Sequence, residues 1–276
     1  MTPPASNKPM MKKILFLAVM MFPLSLVLAQ NTENPRLQKV EKWLEKGNCR
    51  EAERAYRLYK AEGNKFISDV ESRIDDCKNA DPVIKTFSAN GVSFNMVLAD
   101  DGLYLGETEV TQILWQAVMD TNPSEYKKDY FPVEKVSWNE CNRFIEKLNA
   151  ITGLDFRMPT FAELDSAACG GKKTKNFNFA GSNNINDVAW YKRNAGETTH
   201  YVKTKRPNEL GLYDIQGNVR EWCSEKVYNR DTEKDMVQSY GGSWYDEKEK
   251  LLKNVFYTLN PAEAFPYIGL RLALEQ

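Results

Sequence analysis

Apolar positions along the chain change their period once, near residue 80. From Asn34 to about Asn79 they recur at helical spacing in three runs: Leu37, Val40 and Leu44; Ala52, Ala55, Tyr56 and Tyr59; Ile67, Val70, Ile74 and Cys77. Pro35 suits a first helical turn with Asn34 as its cap, and Gly47 with Asn48, then Gly63, separate the runs. Residues 81–91, with Pro82, Asn90 and Gly91, read as a linker or the entry to a first strand. Beyond it, Val92, Phe94, Met96 and Leu98 alternate as a strand does, while Val110 to Met119 and Trp138 to Leu148 return to helical spacing. From Phe177 to Gln276 the chain is rich in Gly, Asn, Pro and aromatics with few periodic runs, which predicts an α+β domain with many ordered loops.

The first 29 residues have another character. Lys12 and Lys13 precede an apolar stretch from Ile14 to Leu28, and Val27 and Ala29 satisfy the small-residue rule for cleavage before Gln30. With Pro23 and Ser25 inside it, the stretch is shorter than the roughly 20 apolar residues of a membrane span. The expectation is a cleavable signal peptide over 1–29, hence export to the periplasm or the extracellular medium with no transmembrane helix after cleavage. No Cys follows the apolar run, which argues against a lipid anchor. Cleavage removes Lys8, Lys12 and Lys13 and no acid, taking the formal charge from -1 to -4. With 37 Lys and Arg against 38 Asp and Glu and no basic run, nucleic acid is not an expected partner.

Five cysteines, Cys49, Cys77, Cys141, Cys169 and Cys223, cannot all pair within one exported chain, and none forms a CxxC. The short connection between the second and third helical runs makes them antiparallel, which sets Cys49 beside Cys77 and predicts a bridge between them. Such a bridge would staple a 30–80 helical unit too small to bury much surface alone. The unit reads either as a protein-docking element or as a rigid spacer. Pairing among Cys141, Cys169 and Cys223 stays open.

Seven segments in order, GETEVTQILWQAV (106–118), NPS (122–124), PVEKVSW (132–138), RMPT (157–160), PNELGLYDIQGNVREWC (207–223), GGSW (241–244) and GLRLA (269–273), strongly resemble the formylglycine-generating enzyme or sulfatase-modifying factor family. The resemblance spans 92–276 and implies a fold related to C-type lectins, with a small twisted sheet, flanking helices and long loops. Enzymes of that family convert a protein cysteine to formylglycine with oxygen and copper held by two cysteines. Those cysteines follow the Gly-Gly-Ser-aromatic motif, since a cuprous ion prefers soft thiolates. Here the matching positions are Asp246 and Leu251, and no cysteine follows Cys223. Copper is therefore not expected. Iron-dependent members use several histidines, and His200 is the single one in this chain. Two further departures are Leu164 where an aromatic is usual and Arg220 where Trp is frequent.

The resemblance also implies a calcium site, with hard oxygens from the side chains of Asp214 and Glu221 and the carbonyls of Gly217 and Val219. The alternative is a Gly-Asn turn with Glu221 salt-bridged to a neighbour. Two functions are compatible with these residues. In one the chain is an exported, non-catalytic binding or structural module, a pseudoenzyme, with Trp244, Tyr245, Asp246 and Arg271 offering a surface to a protein, peptide or glycan. In the other it is a family oxidase for sulfatase maturation, working through a site with unfamiliar ligands.

Overall fold

The computed structural model describes residues 34–64, 66–230 and 233–276; the signal peptide expected over 1–29 lies outside them. Three helices open the described residues: α1 (Pro35–Glu45), α2 (Cys49–Ala61) and α3 (Ser68–Asn79). Asn34 caps α1 by accepting from the Arg36 amide at 2.8 Å, and Asn48 caps α2 through the Glu51 amide at 3.2 Å. The apolar faces read from the sequence meet in one small core of Leu37, Val40, Ala52, Ala55, Tyr56, Tyr59, Val70 and Ile74. Cys49 and Cys77 are joined by a disulfide with Cα atoms 5.6 Å apart, within normal bridging range.

The helical unit docks on the larger domain. Lys173 reaches the carbonyls of Ala80 and Asp81 at 2.7 and 3.3 Å, and Lys175 reaches Asn79 Oδ1 at 2.8 Å, so cations meet the electronegative end of α3. Burial pushes the Lys173 ammonium pKa down. The segment 81–91 is not a linker throughout. Ile84–Ala89 forms β1, paired antiparallel with β2 (Val92–Asp100) around an Asn90-Gly91 turn, both residues at positive φ. The sheet therefore starts before residue 92, because a tight turn suffices to fold the entry segment back on β2.

The larger domain is α+β. One sheet runs β1-β2-β3-β8, with β3 at Leu103–Gly106 and β8 at Ala273–Glu275. The other runs β6-β5-β4-β7, with β4 at Arg220–Asn229, β5 at Lys234–Tyr240, β6 at Phe256–Leu259 and the short β7 at Ile268–Gly269, parallel to β4. Helices α4 (Gln112–Met119), α5 (Trp138–Thr152), α6 (Phe161–Ala168) and the single turn α7 (Ile185–Val188) flank them. Ser137-Glu140 and Thr160-Glu163 form reciprocal capping boxes that start α5 and α6. Trp115 of α4 stacks on Phe144 of α5 with centroids 4.8 Å apart, and buried Trp222 donates to the Val136 carbonyl at 2.9 Å. An aromatic pair of this kind adds about 1 kcal/mol beyond its burial. Cys141, Cys169 and Cys223 are free thiols; Cys141 and Cys223 are fully buried, Cys169 half-buried.

Candidate functional site

The Gly241-Gly242-Ser243-Trp244 motif follows β5 and turns the chain across the start of β4. Gly241 and Gly242 both have positive φ, and a Cβ on Gly242 would lie 2.8 Å from Cγ and Cδ1 of Leu251. This close packing brings Asp246 and Leu251, the positions matching the family's cysteine pair, over the start of β4.

Asp246 does not face an open metal position. Arg220 grips it with both ends of the guanidinium, Nε to Oδ2 at 2.9 Å and Nη2 to Oδ1 at 2.5 Å, while Ser243 Oγ donates to Oδ2 at 2.7 Å. Both partners are nearly buried, so this pair is shielded from salt and solvent. The Arg220 guanidinium carbon also sits 3.9 Å from the Tyr257 ring centroid and 5.1 Å from that of Tyr267. Leu251 is fully buried in an apolar cluster with Ile185, Val188, Ala189 and Tyr191. Two departures met separately in the sequence, Arg220 in place of Trp and Asp246 in place of Cys, are thus the two halves of one ion pair. A charge of each sign at two departures from the family pattern was the available signal.

The surface expected from Trp244, Tyr245, Asp246 and Arg271 needs correction. Arg271 is fully buried, and Trp244 and Asp246 nearly so; Tyr245 alone is open, at 58% exposure. Arg271 lies inside because Glu221 and the carbonyls of Gly106 and Tyr213 saturate its guanidinium at 2.7 to 3.0 Å. Trp244 turns inward to donate to the Pro266 carbonyl at 2.9 Å and meets the Tyr126 ring edge-on. What the face does present is a run of near-parallel rings, Phe265 on Tyr267 at 5.1 Å and Tyr267 on Tyr245 at 5.4 Å.

At the expected calcium loop, Asp214, Gly217 and Asn218 all take positive φ, and a Cβ on Gly217 would stand 2.4 Å from the Trp190 carbonyl. Asp214 Oδ2 accepts from the Lys203 amide at 2.8 Å, whereas the buried Oδ1 has no partner. Both oxygens of Glu221 accept from Arg271, which is the salt-bridged arrangement that competes with cation binding. Val219 is buried beside it. Glu109, which sequence reasoning passed over as part of a motif, lies close by, wholly buried and with neither carboxylate oxygen hydrogen-bonded. Burial and then the charge of Asp214 push the Glu109 pKa well up, and burial raises Asp214 to about 6. Three buried acids thus share one guanidinium. The donor chemistry fits a hard cation at Asp214 Oδ1, although no group of three or more His, Cys, Asp or Glu among the described residues is arranged to hold a metal.

The remaining reactive groups are quiet. Burial raises the pKa of all three free thiols, the opposite of an activated thiolate. His200 lies stacked on Trp190 with centroids 3.7 Å apart, and its Nε2–H donates to the Ala195 carbonyl at 2.7 Å. Burial holds its pKa down, so it serves as a neutral strut between loops.

The profile of the Sulfatase-modifying factor enzyme 1-like domain matches residues 51–276. The chain belongs to that family. Its match starts within α2, so the helical unit is in part included. This family member is similar to the Chaperone protein LppX of Paenibacillus barcinonensis, 36% identical over 58% of this chain and 75% of that protein. It is also similar to the Inactive C-alpha-formylglycine-generating enzyme 2 of Bos taurus, 29% identical over 50% of this chain and 46% of the bovine protein. Among solved structures, Treponema denticola variable protein 1 superposes with a TM-score of 0.63 at 28% identity, covering 71% of this chain and all of that one.

Proposed function

We propose that this member of the sulfatase-modifying factor family is an exported, non-catalytic module that binds a polypeptide partner. The observation that carries the reading is the Arg220–Asp246 ion pair, with buried Leu251 beside it, at the positions where the family's oxidases hold copper. A carboxylate already bonded by a guanidinium and a hydroxyl has little left to offer a metal, and a leucine offers nothing. A cuprous ion, which selects thiolates, would find neither position suitable. One relative named a chaperone and another named inactive support binding without oxidation. The Cys49–Cys77 disulfide supports an oxidising compartment, and no helix among the described residues is long and apolar enough to cross a membrane. In this proposal the exposed Tyr245, backed by Tyr267 and Phe265, is the contact surface. A calcium ion held by Asp214 and the Gly217 and Val219 carbonyls would steady the loop beneath it.

Two assays test the reading together. The purified protein is loaded with cuprous ion and offered a sulfatase peptide, with formylglycine read by mass spectrometry; stoichiometric copper with product formation overturns the proposal. In parallel, the protein is added to an unfolded exported enzyme and aggregation is followed by light scattering. Suppression that weakens in Tyr245→Ala supports it.

A further inference from the structure

A cavity of about 290 Å³ opens between the end of β3, the start of α4 and the loop at Val202-Lys203, and shares no residue with the Arg220–Asp246 site. Phe94, Val110, Ile113, Leu114 and Leu272 give it apolar walls, and the exposed Tyr130 stands among its lining residues. One end carries an ion pair. Lys203 Nζ lies 2.8 Å from Glu107 Oε1, and Asn95 Nδ2 holds Glu107 Oε2 at 3.0 Å. The Glu107 side chain is 10% exposed and that of Lys203 is 41%, so the acid is fixed within the wall while the cation reaches solvent. Glu109 is another lining residue, but its carboxylate oxygens are wholly buried, so the solvent-facing charges at this end are those of Glu107 and Lys203.

Size and charge restrict the ligand. Pockets for drug-sized molecules span roughly 300 to 1,000 Å³, so this one suits something no larger than a single residue or two. A lone lysine already paired with Glu107 disfavours phosphates and nucleotides, and the charged end disfavours a plain hydrocarbon. A group with an ammonium, an apolar body and an oxygen acceptor nearby satisfies every wall.

We propose that this cavity binds the α-ammonium group of an apolar amino-acid residue. The ammonium takes Glu107 Oε1 in place of the solvent-reaching Lys203, the side chain enters among Phe94, Leu114 and Leu272, and the residue's own carbonyl or carboxylate meets the displaced Lys203 ammonium. The source is either a free amino acid or the amino terminus of a peptide.

Isothermal titration of the purified protein with leucine, leucinamide, Leu-Gly-Gly and N-acetyl-leucine tests this. Saturable binding by the free-amine ligands is expected, with N-acetyl-leucine weaker by about tenfold or more. Leu-Gly-Gly matching leucine assigns the site to peptide amino termini. Leucine alone binding tightly, and losing about tenfold in Lys203→Met, assigns it to free amino acids. Glu107→Gln, checked for folding by thermal denaturation, weakens every free-amine ligand about tenfold. Absence of saturation with all of these amines, equal binding of N-acetyl-leucine, or an affinity unmoved in a folded Glu107→Gln protein would overturn the proposal.

Discussion

Removing one partner of the Arg220–Asp246 pair should be far costlier than removing both. In Asp246→Ala the Arg220 guanidinium loses two charge-assisted hydrogen bonds, and Ser243 loses its acceptor. The cation then stays in a nearly closed site, with the Tyr257 and Tyr267 rings at 3.9 and 5.1 Å as its electrostatic partners. Breaking a buried pair in this way typically costs about 3–5 kcal/mol; the ring contacts are present before and after, and the lower end applies because the Arg220 side chain keeps 11% exposure to water. A net loss of about 3 kcal/mol is expected, equivalent to roughly 6–12 °C in melting temperature for a chain of this size. The double variant Arg220→Leu/Asp246→Leu removes both charges and should fall within about 1 kcal/mol of the parent, since apolar replacement of a buried ion pair is often neutral. Urea denaturation of the parent, both single variants and the double variant closes the cycle, with unchanged slopes required for the comparison. Single-site losses that simply add in the double variant would refute the reasoning, since they would mean the two charges act independently.

Other parts of the fold give further expected outcomes. Cys49→Ser/Cys77→Ser opens a loop with a sequence separation of 28 and should destabilise the helical unit by about 3–4 kcal/mol, read as loss of protection in α1 to α3 by hydrogen exchange. Glu134 is fully buried, with Oε1 bound by the Glu125 and Tyr126 amides and Oε2 unpartnered, and burial raises its pKa from 4.5 to about 7. The folded state thus keeps a proton that the unfolded chain releases, so stability from this group is full below pH 4.5 and is lost as pH rises to about 7. Glu134→Gln should flatten that window in a series of melting curves, and an unchanged pH profile would refute the assignment. Calcium added to the metal-free protein should raise its melting temperature, and Asp214→Asn should abolish the rise. A shift of equal size in that variant would refute the role given to Asp214 Oδ1.

Much of the fold was legible because its signals are local. Asn34, Asn48, Ser137 with Glu140 and Thr160 with Glu163 cap helices within four residues of themselves, so helix starts were encoded where they occur. The antiparallel relation of α2 and α3 needed one short connection, which is why the Cys49–Cys77 bridge was foreseeable. β1 was harder: its burial alternates only weakly, and pairing with β2 rather than apolar content makes it a strand.

By itself the sequence determined the three opening helices, the family and the absence of sulfur at Asp246 and Leu251, since residue identity and short-range spacing are properties of the chain alone. Tertiary structure decided what replaced the sulfur. Arg220 meets Asp246 across 26 positions and Arg271 meets Glu221 across 50, contacts fixed by strand register and by glycine-tight loops. The same packing sent Arg271, Trp244 and Asp246 inward and left Tyr245 outside, because whether a charge lies in water or against a buried partner depends on which distant segments the core brings together.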